Sequence, residues 1–273
     1  MKTLYVSDLD GTLLRNDEKT SEFTNETINT LVKEGIYFSY ATARSYNTAK
    51  KVTKGLNAKI PLIVYNGTII VDNVTGEILF SNNFINEDIK EILDDLIKHN
   101  VYPIVYSFIN GVEKFSYVQQ LNSDELQEFI NTRKGDVRNN PISQISDLYK
   151  GDIFYVTCID KKEKLEPLYS KYKEKYHCVF QEDIYLHSQW LEIMPAEASK
   201  SHAISQLRKY LDCDKVVVFG DGINDIDMFK MADEAYAVEN ACEELKQYST
   251  QVIESNNSDG VAKWLLAQKK ETL

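Results

Sequence analysis

The sequence predicts an α/β protein with a parallel sheet covered by helices on both faces, interrupted by an inserted α+β unit. Three observations predict it. Short apolar strands without strict polar alternation are separated by helical segments, the pattern of βαβ units. Two of those strands run straight into turns rich in glycine and acids: Leu4-Tyr5-Val6 into Asp8-Leu9-Asp10-Gly11-Thr12, and Lys215-Val216-Val217-Val218-Phe219 into Gly220-Asp221-Gly222-Ile223-Asn224-Asp225. Between about residues 84 and 186 the alternation breaks into a different order of helices and strands.

The first stretch reads as a strand over Leu4 to Ser7, a helix near Thr24 to Glu34, a strand over Ile36 to Ala41, a helix near Tyr46 to Leu56 and a strand over Leu62 to Tyr65. Val71 to Ile78 reads as a hairpin closed by the polar turn Asp72-Asn73-Val74-Thr75-Gly76-Glu77. The middle stretch carries helices near Glu87 to Lys98, Ser123 to Thr132 and Lys162 to Lys175, with strands near Tyr102 to Ser107, Glu113 to Tyr117, Ile153 to Ile159, His177 to Gln181 and Tyr185 to Ser188. Helices packed on one face of an antiparallel sheet fit that order. From Leu191-Glu192-Ile193-Met194 the first pattern resumes, with a helix over Lys200 to Leu211, the strand to Phe219, a helix from Ile226, a strand over Ala235 to Val238 and terminal helices. The expected domains are therefore a core of residues 1–83 and 187–273 and an insertion of residues 84–186.

At 273 residues the chain can bury a large core and hold two compact units. Its net charge of −11 argues against a general nucleic-acid binder, which neutralises phosphates with a basic face. No apolar run approaches the length needed to cross a bilayer, and the N-terminus turns to acids where a secretory signal would stay apolar, so the cytoplasm is the expected location. The four cysteines form no CxxC pair and read as reduced thiols. The histidines His99, His177, His187 and His202 have no metal-ligand spacing.

Strand side chains alternate, so Asp8 and Asp10 leave the first strand on the same side, and Gly11 lets the backbone turn sharply. Left bare, converging carboxylates repel, so a site that uses both most naturally recruits a divalent cation. If the strands ending at Asp8 and Asp221 are neighbours, their C-terminal ends form the crevice where open α/β sheets bind ligands.

Taken in order, DLDGT (Asp8 to Thr12), ATAR (Ala41 to Arg44), Lys200, GDGIND (Gly220 to Asp225) and NNSDGVA (Asn256 to Ala262) resemble the haloacid dehalogenase superfamily, and more closely its Cof-type branch. The resemblance implies a Rossmann-like parallel sheet core with an inserted α+β cap domain. It implies a Mg²⁺-dependent phosphatase for small phosphomonoesters, a sugar phosphate or a phosphorylated cofactor, with neither nucleic acid nor membrane as partner. Asp8 would be the nucleophile that becomes an aspartyl phosphate, and Asp10 the general acid and base. Asp221 would ligate Mg²⁺ beside the Asp8 side chain and the main-chain carbonyl at the Asp10 position, with Asp225 as a ligand directly or through water. An acid at a helix N-terminus is also favourable in itself.

Thr42, Lys200 and Asn224 match the phosphate cradle, where preset donors face the charge of the transition state. Arg44 and the Asn66-Gly67 pair also match Cof-type positions with less uniform roles: Arg44 would touch substrate or the cap, with an exposed ion pair an equal alternative, and Asn66-Gly67 would be a ligand contact or equally a tight turn. Ala43 and Ser201 stand where the family often has glycine. A phosphohexomutase of the same superfamily, and a non-catalytic phospho-acceptor or binding module, remain as rival readings.

Overall fold

The structure, a computed structural model, describes residues 2–182 and 188–272, with side chains to residue 268. His187 and most of the strand expected over Tyr185 to Ser188 lie outside the described residues. In chain order the strands are β1 (Thr3–Ser7), β2 (Tyr37–Tyr40), β3 (Leu62–Val64), β4 (Ile69–Val71), β5 (Ile78–Ser81), β6 (Ile104–Ile109), β7 (Val112–Val118), β8 (Asn139–Ile142), β9 (Asp152–Asp160), β10 (His177–Glu182), β11 (Gln189–Met194), β12 (Lys215–Gly220), β13 (Glu234–Val238) and β14 (Gln251–Ile253). The α-helices are α1 (Glu22–Lys33), α2 (Tyr46–Val52), α3 (Asn86–Lys98), α4 (Asp124–Thr132), α5 (Lys162–Tyr172), α6 (Lys200–Leu211), α7 (Ile226–Met231), α8 (Glu243–Lys246) and α9 (Gly260–Thr272). The chain divides into two compact units, Met1–Ser81 with Ala198–Leu273, and Asn82–Glu197.

The first unit is built on a parallel sheet in the order β14-β13-β12-β1-β2, the α/β class the sequence predicts. Its central strands carry mostly apolar side chains, with Leu4, Val6, Val216, Val218 and Phe219 fully buried, as expected for a sheet covered on both faces. Three of its helices start where a serine satisfies a free amide: Ser21, Ser45 and Ser199 accept from the backbone N–H groups of Thr24, Thr48 and His202. β14 was not foreseen, because three residues with one buried side chain carry no periodic signal.

β3 departs from expectation. It joins the parallel sheet only through a bridge between Ala41 and Ile63, and otherwise belongs to an antiparallel sheet in the order β3-β4-β5. The cause is local: Tyr65 and Asn66 adopt left-handed conformations (φ 51° and 52°) and fold the chain straight back into β4. The expected hairpin follows, its turn held by Asp72 Oδ1 accepting from the N–H groups of Val74 and Thr75.

The second unit carries a sheet in the order β10-β11-β9-β6-β7-β8, antiparallel except between β7 and β8. β11, placed in the first unit by the sequence reading, pairs here with β9 and β10, so this unit extends to Glu197 rather than ending at residue 186. An apolar strand of six residues looks the same from sequence whichever sheet receives it. The helices also differ from the expected single layer. α3 and α5 bury Ile92, Leu93, Leu96, Leu165 and Leu168 against Val105, Val156, Leu191 and Ile193, while Leu126, Phe129 and Ile130 of α4 cluster with Ile104, Phe115, Tyr117 and Ile159. Ile104 and Val105 are consecutive on one strand and point to opposite faces, so α4 covers the face opposite α3 and α5.

Candidate active site

β1 and β12 are neighbours, paired in register from Thr3 with Lys215 to Ser7 with Phe219. The Asp8 N–H donates to the Phe219 carbonyl at 2.9 Å, so the two acid-bearing turns leave the sheet at the same level. The consequence is a shared cluster: Asp8, Asp221 and Asp225 each offer a carboxylate oxygen, all within 4.8 Å of one another. Lys200, the first residue of α6, reaches into it with Nζ 2.6 Å from Asp8 Oδ1 and 2.7 Å from Asp225 Oδ1. Lys200 is 3% exposed and Asp225 0%, so these charges meet away from bulk water.

Close packing around the cluster explains the glycines. Gly11 has φ +75° and lies so close to the Asp221 carboxylate that a Cβ would overlap it, and a Cβ on Gly220 would stand 2.7 Å from Asp225 Oδ2. Asp225 Oδ2 accepts from the N–H groups of Asp221 and Gly222 at 3.0 and 3.1 Å, which folds the second turn around it. Thr12 Oγ1 donates to Asp221 Oδ1 at 2.6 Å, tying the first turn to the second. Gly67, with φ +94°, packs directly on the Ser199–Lys200 peptide, where a Cβ would come 2.8 Å from the Lys200 nitrogen. Lys200 is thus buttressed from behind.

The electrostatics follow from burial. Desolvation pushes the Asp8 carboxyl well above the usual carboxylate range; Lys200 opposes the shift, and Asp225, Asp221 and Asp10 reinforce it. Asp221 is pushed up to about 6, first by burial, with the Thr12 hydrogen bond opposing and Asp225 adding. For Lys200, burial works against the charge, but Asp225 and Asp8 overcome it and hold the ammonium protonated. Three acids facing one ammonium leave a site short of positive charge. All its anionic donors are hard oxygens, so it fits a divalent cation of the magnesium, calcium or manganese type.

The remaining expected residues surround this cluster. The Asp10 side chain is not in it: Asp10 Oδ1 and Oδ2 accept from Arg44 Nη2 and Nε at 2.5 and 2.8 Å, and Arg44 Nη2 also reaches Glu18 Oε2 at 2.9 Å. Thr42 is buried level with Asp8, since the preceding residue, Ala41, donates to the Ser7 carbonyl at 2.9 Å. Its hydroxyl accepts from the Arg44 N–H, and its carbonyl accepts from the Asn66 N–H at 2.9 Å, so Asn66 serves the turn that shapes the Thr42 loop. Asn224 sits exposed on the turn between Asp221 and Asp225. Sequence reasoning assigned no role to Thr12, though it lies inside the first motif. It also missed the ties from the C-terminal segment, where Asp259 Oδ1 accepts from Ser21 at 2.7 Å and from Arg15 Nε at 3.0 Å, and Asn256 Nδ2 donates to the Leu14 carbonyl at 2.9 Å.

Two parallel strands delivering acids to one point beside a buried lysine match what the motif order implies. The family profile described as haloacid dehalogenase-like hydrolase matches residues 5–265. The chain belongs to this family. A Buchnera aphidicola protein is 31% identical over 281 residues, covering 97% of this chain and 96% of its own. The Bacillus subtilis protein YwtE, named a 5-amino-6-(5-phospho-D-ribitylamino)uracil phosphatase, is 30% identical over 285 residues and 96% of each chain. Among solved structures, a Thermotoga maritima protein superposes with a TM-score of 0.78 at 27% identity, covering 96% of both chains. The expected enzyme class, a haloacid dehalogenase-superfamily phosphatase, stands with this membership. Among the described residues no helix is long and apolar enough to cross a membrane.

Proposed function

We propose that this haloacid dehalogenase-like hydrolase is a magnesium-dependent phosphatase of small phosphomonoesters that works through a phosphorylated Asp8. The observation that carries the reading is the triad of Asp8, Asp221 and Asp225, its two buried members closed by Lys200. Mg²⁺, held by the triad, would supply charge neutralisation between an anionic nucleophile and an anionic phosphate. Lys200 anchors one oxygen of Asp8, limiting rotation of the carboxylate and orienting the other toward phosphorus. Attack by that oxygen forms the Asp8–phosphorus bond as the bond to the ester oxygen breaks, and the leaving oxygen takes a proton from Asp10. Water then attacks the acyl phosphate, Asp10 accepts its proton, and inorganic phosphate leaves with Asp8 regenerated. Arg44 holds both oxygens of Asp10, so Asp10 has to turn from Arg44 toward the substrate to pass that proton. Thr42, Lys200 and Asn224 donate to the phosphoryl oxygens.

The second unit is read as the family's cap, the source of the contacts that select the ester. The compound named for the Bacillus relative is the first to test in a panel of sugar phosphates and phosphorylated cofactors. Such metabolites suit a cytoplasmic enzyme. The deciding experiment follows phosphate release by wild type and Asp8→Asn, with Mg²⁺ and with excess chelator. Loss of about 1,000-fold or more in the variant, and loss in chelator restored by Mg²⁺, is expected. Near-normal turnover by Asp8→Asn refutes the covalent route.

A further inference from the structure

β1 and β12 pair as far as Ser7 and Phe219, with the Asp8 N–H on the Phe219 carbonyl; beyond that the two turns no longer pair with each other. Thr12 ties the two turns there, and the loop after the next strand adds a second tie. β13 ends at Val238, the Ala241 N–H donates back to the Val238 carbonyl at 2.9 Å, and the loop so formed reaches both turns. Asn240 Nδ2 donates to the Gly11 carbonyl at 2.8 Å, and two residues on the Cys242 N–H donates to the Asp221 carbonyl at 2.9 Å. The other end of the Asn240 amide is also used, because Oδ1 accepts from the Asn256 N–H at 3.0 Å. Asn256 in turn holds the Leu14 carbonyl, at the far end of the first turn.

We propose that Asn240 is a positioning residue for the metal-binding acids, acting through Gly11 and Thr12 on Asp221. Gly11 lies against the Asp221 carboxylate, and the following residue, Thr12, donates to Asp221 Oδ1, so a shift of the Gly11 peptide moves both sides of that contact. With its acceptor fixed by Asn256, the Asn240 amide has one orientation in which it can donate to Gly11. One short loop thereby spans the turns of both strands and sets the separation of Asp8 from Asp221. This inference rests on the reading that Asp8, Asp221 and Asp225 share a divalent cation.

The test measures Mn²⁺ binding to substrate-free protein, by loss of the free-ion electron paramagnetic resonance signal, together with thermal melting in chelator. Wild type, Asn240→Ala and Asn240→Asp are compared at pH 7.5. Asn240→Ala is expected to weaken Mn²⁺ binding about three- to tenfold, the scale of one lost hydrogen bond, with melting in chelator unchanged. Asn240→Asp keeps the size and the acceptor but loses the donor. Its added negative charge alone would tighten cation binding, whereas lost positioning weakens it, and weakening is expected. Should Asn240→Ala fail to fold, the near-isosteric Asp variant decides alone. Tighter Mn²⁺ binding by Asn240→Asp, or binding unchanged while melting falls, overturns the proposal. Failure of wild type to bind Mn²⁺ would instead overturn the parent reading of the acid triad.

Discussion

Replacing Asp221 by Asn should stabilise the metal-free protein at alkaline pH. Native Asp221 takes up its proton at about 6 against an ordinary 3.8, chiefly because it is buried beside Asp225. At about 1.4 kcal/mol per tenfold change in proton affinity, that difference is worth about 3 kcal/mol, or about 2 after discounting its partial contact with solvent. Because the folded state binds this proton more tightly than the unfolded chain, the contribution to stability is full below pH about 4. It is lost as pH rises through about 6. At pH 8 wild type therefore carries an ionised, destabilising Asp221, which Asn, matching the neutral acid in shape, relieves. The Thr12 hydroxyl keeps an acceptor in the variant.

In excess chelator at pH 8, Asp221→Asn should melt about 4–8 °C above wild type, shrinking toward zero near pH 4. Added Mg²⁺ should raise the melting temperature of wild type and do much less for the variant, whose phosphatase activity should fall at least about 100-fold. A variant less stable than wild type in chelator at pH 8 would refute the claim that the cost of a buried, ionised Asp221 governs this site.

Two further substitutions probe the lysine and its support. Lys200→Met leaves the buried Asp8 and Asp225 carboxylates facing each other without their shared ammonium, so in chelator at pH 8 it should destabilise by about 3–5 kcal/mol in urea unfolding. The loss should be smaller at pH 5, where the raised Asp8 carboxyl can take up a proton, and turnover should drop about 100-fold or more. Gly67→Ala places a Cβ against the Ser199–Lys200 peptide at a φ of +94°, and is expected to cost about 2 kcal/mol or more together with a loss of kcat per folded molecule. Unchanged kcat in the folded variant would show that Lys200 does not depend on this contact.

Local chemistry explains what the sequence revealed. Strands such as Lys215 to Phe219 that end in glycines and acids announce their place in a parallel sheet, and α6 runs over the residues its serine cap and apolar spacing mark out. Asp8, Asp221, Asp225 and Lys200 were legible because their motifs recur in a known order. What stayed hidden depends on partners far along the chain: Thr12 with Asp221, Asn240 with Gly11, and Asp259 with Arg15 and Ser21. No periodicity encodes such pairs. β11 was misassigned for the same reason, since an apolar strand is a demand for burial that either sheet can meet. Asp10 was expected among the acids, and its side chain turns instead to Arg44, a competition between a cation nearby and carboxylates that repel it.

The strand order has a consequence for synthesis on the ribosome. β1 emerges first yet sits between β2 and β12, and its partner residues Lys215 to Phe219 follow about 200 positions later. At about 5–20 residues per second, one flank of an apolar strand waits about 10–40 s for its mate, a window in which stray pairing must be avoided. The intervening unit has its own apolar core and can condense during that interval, so the nascent protein hides much of its greasy surface before the parallel sheet can close.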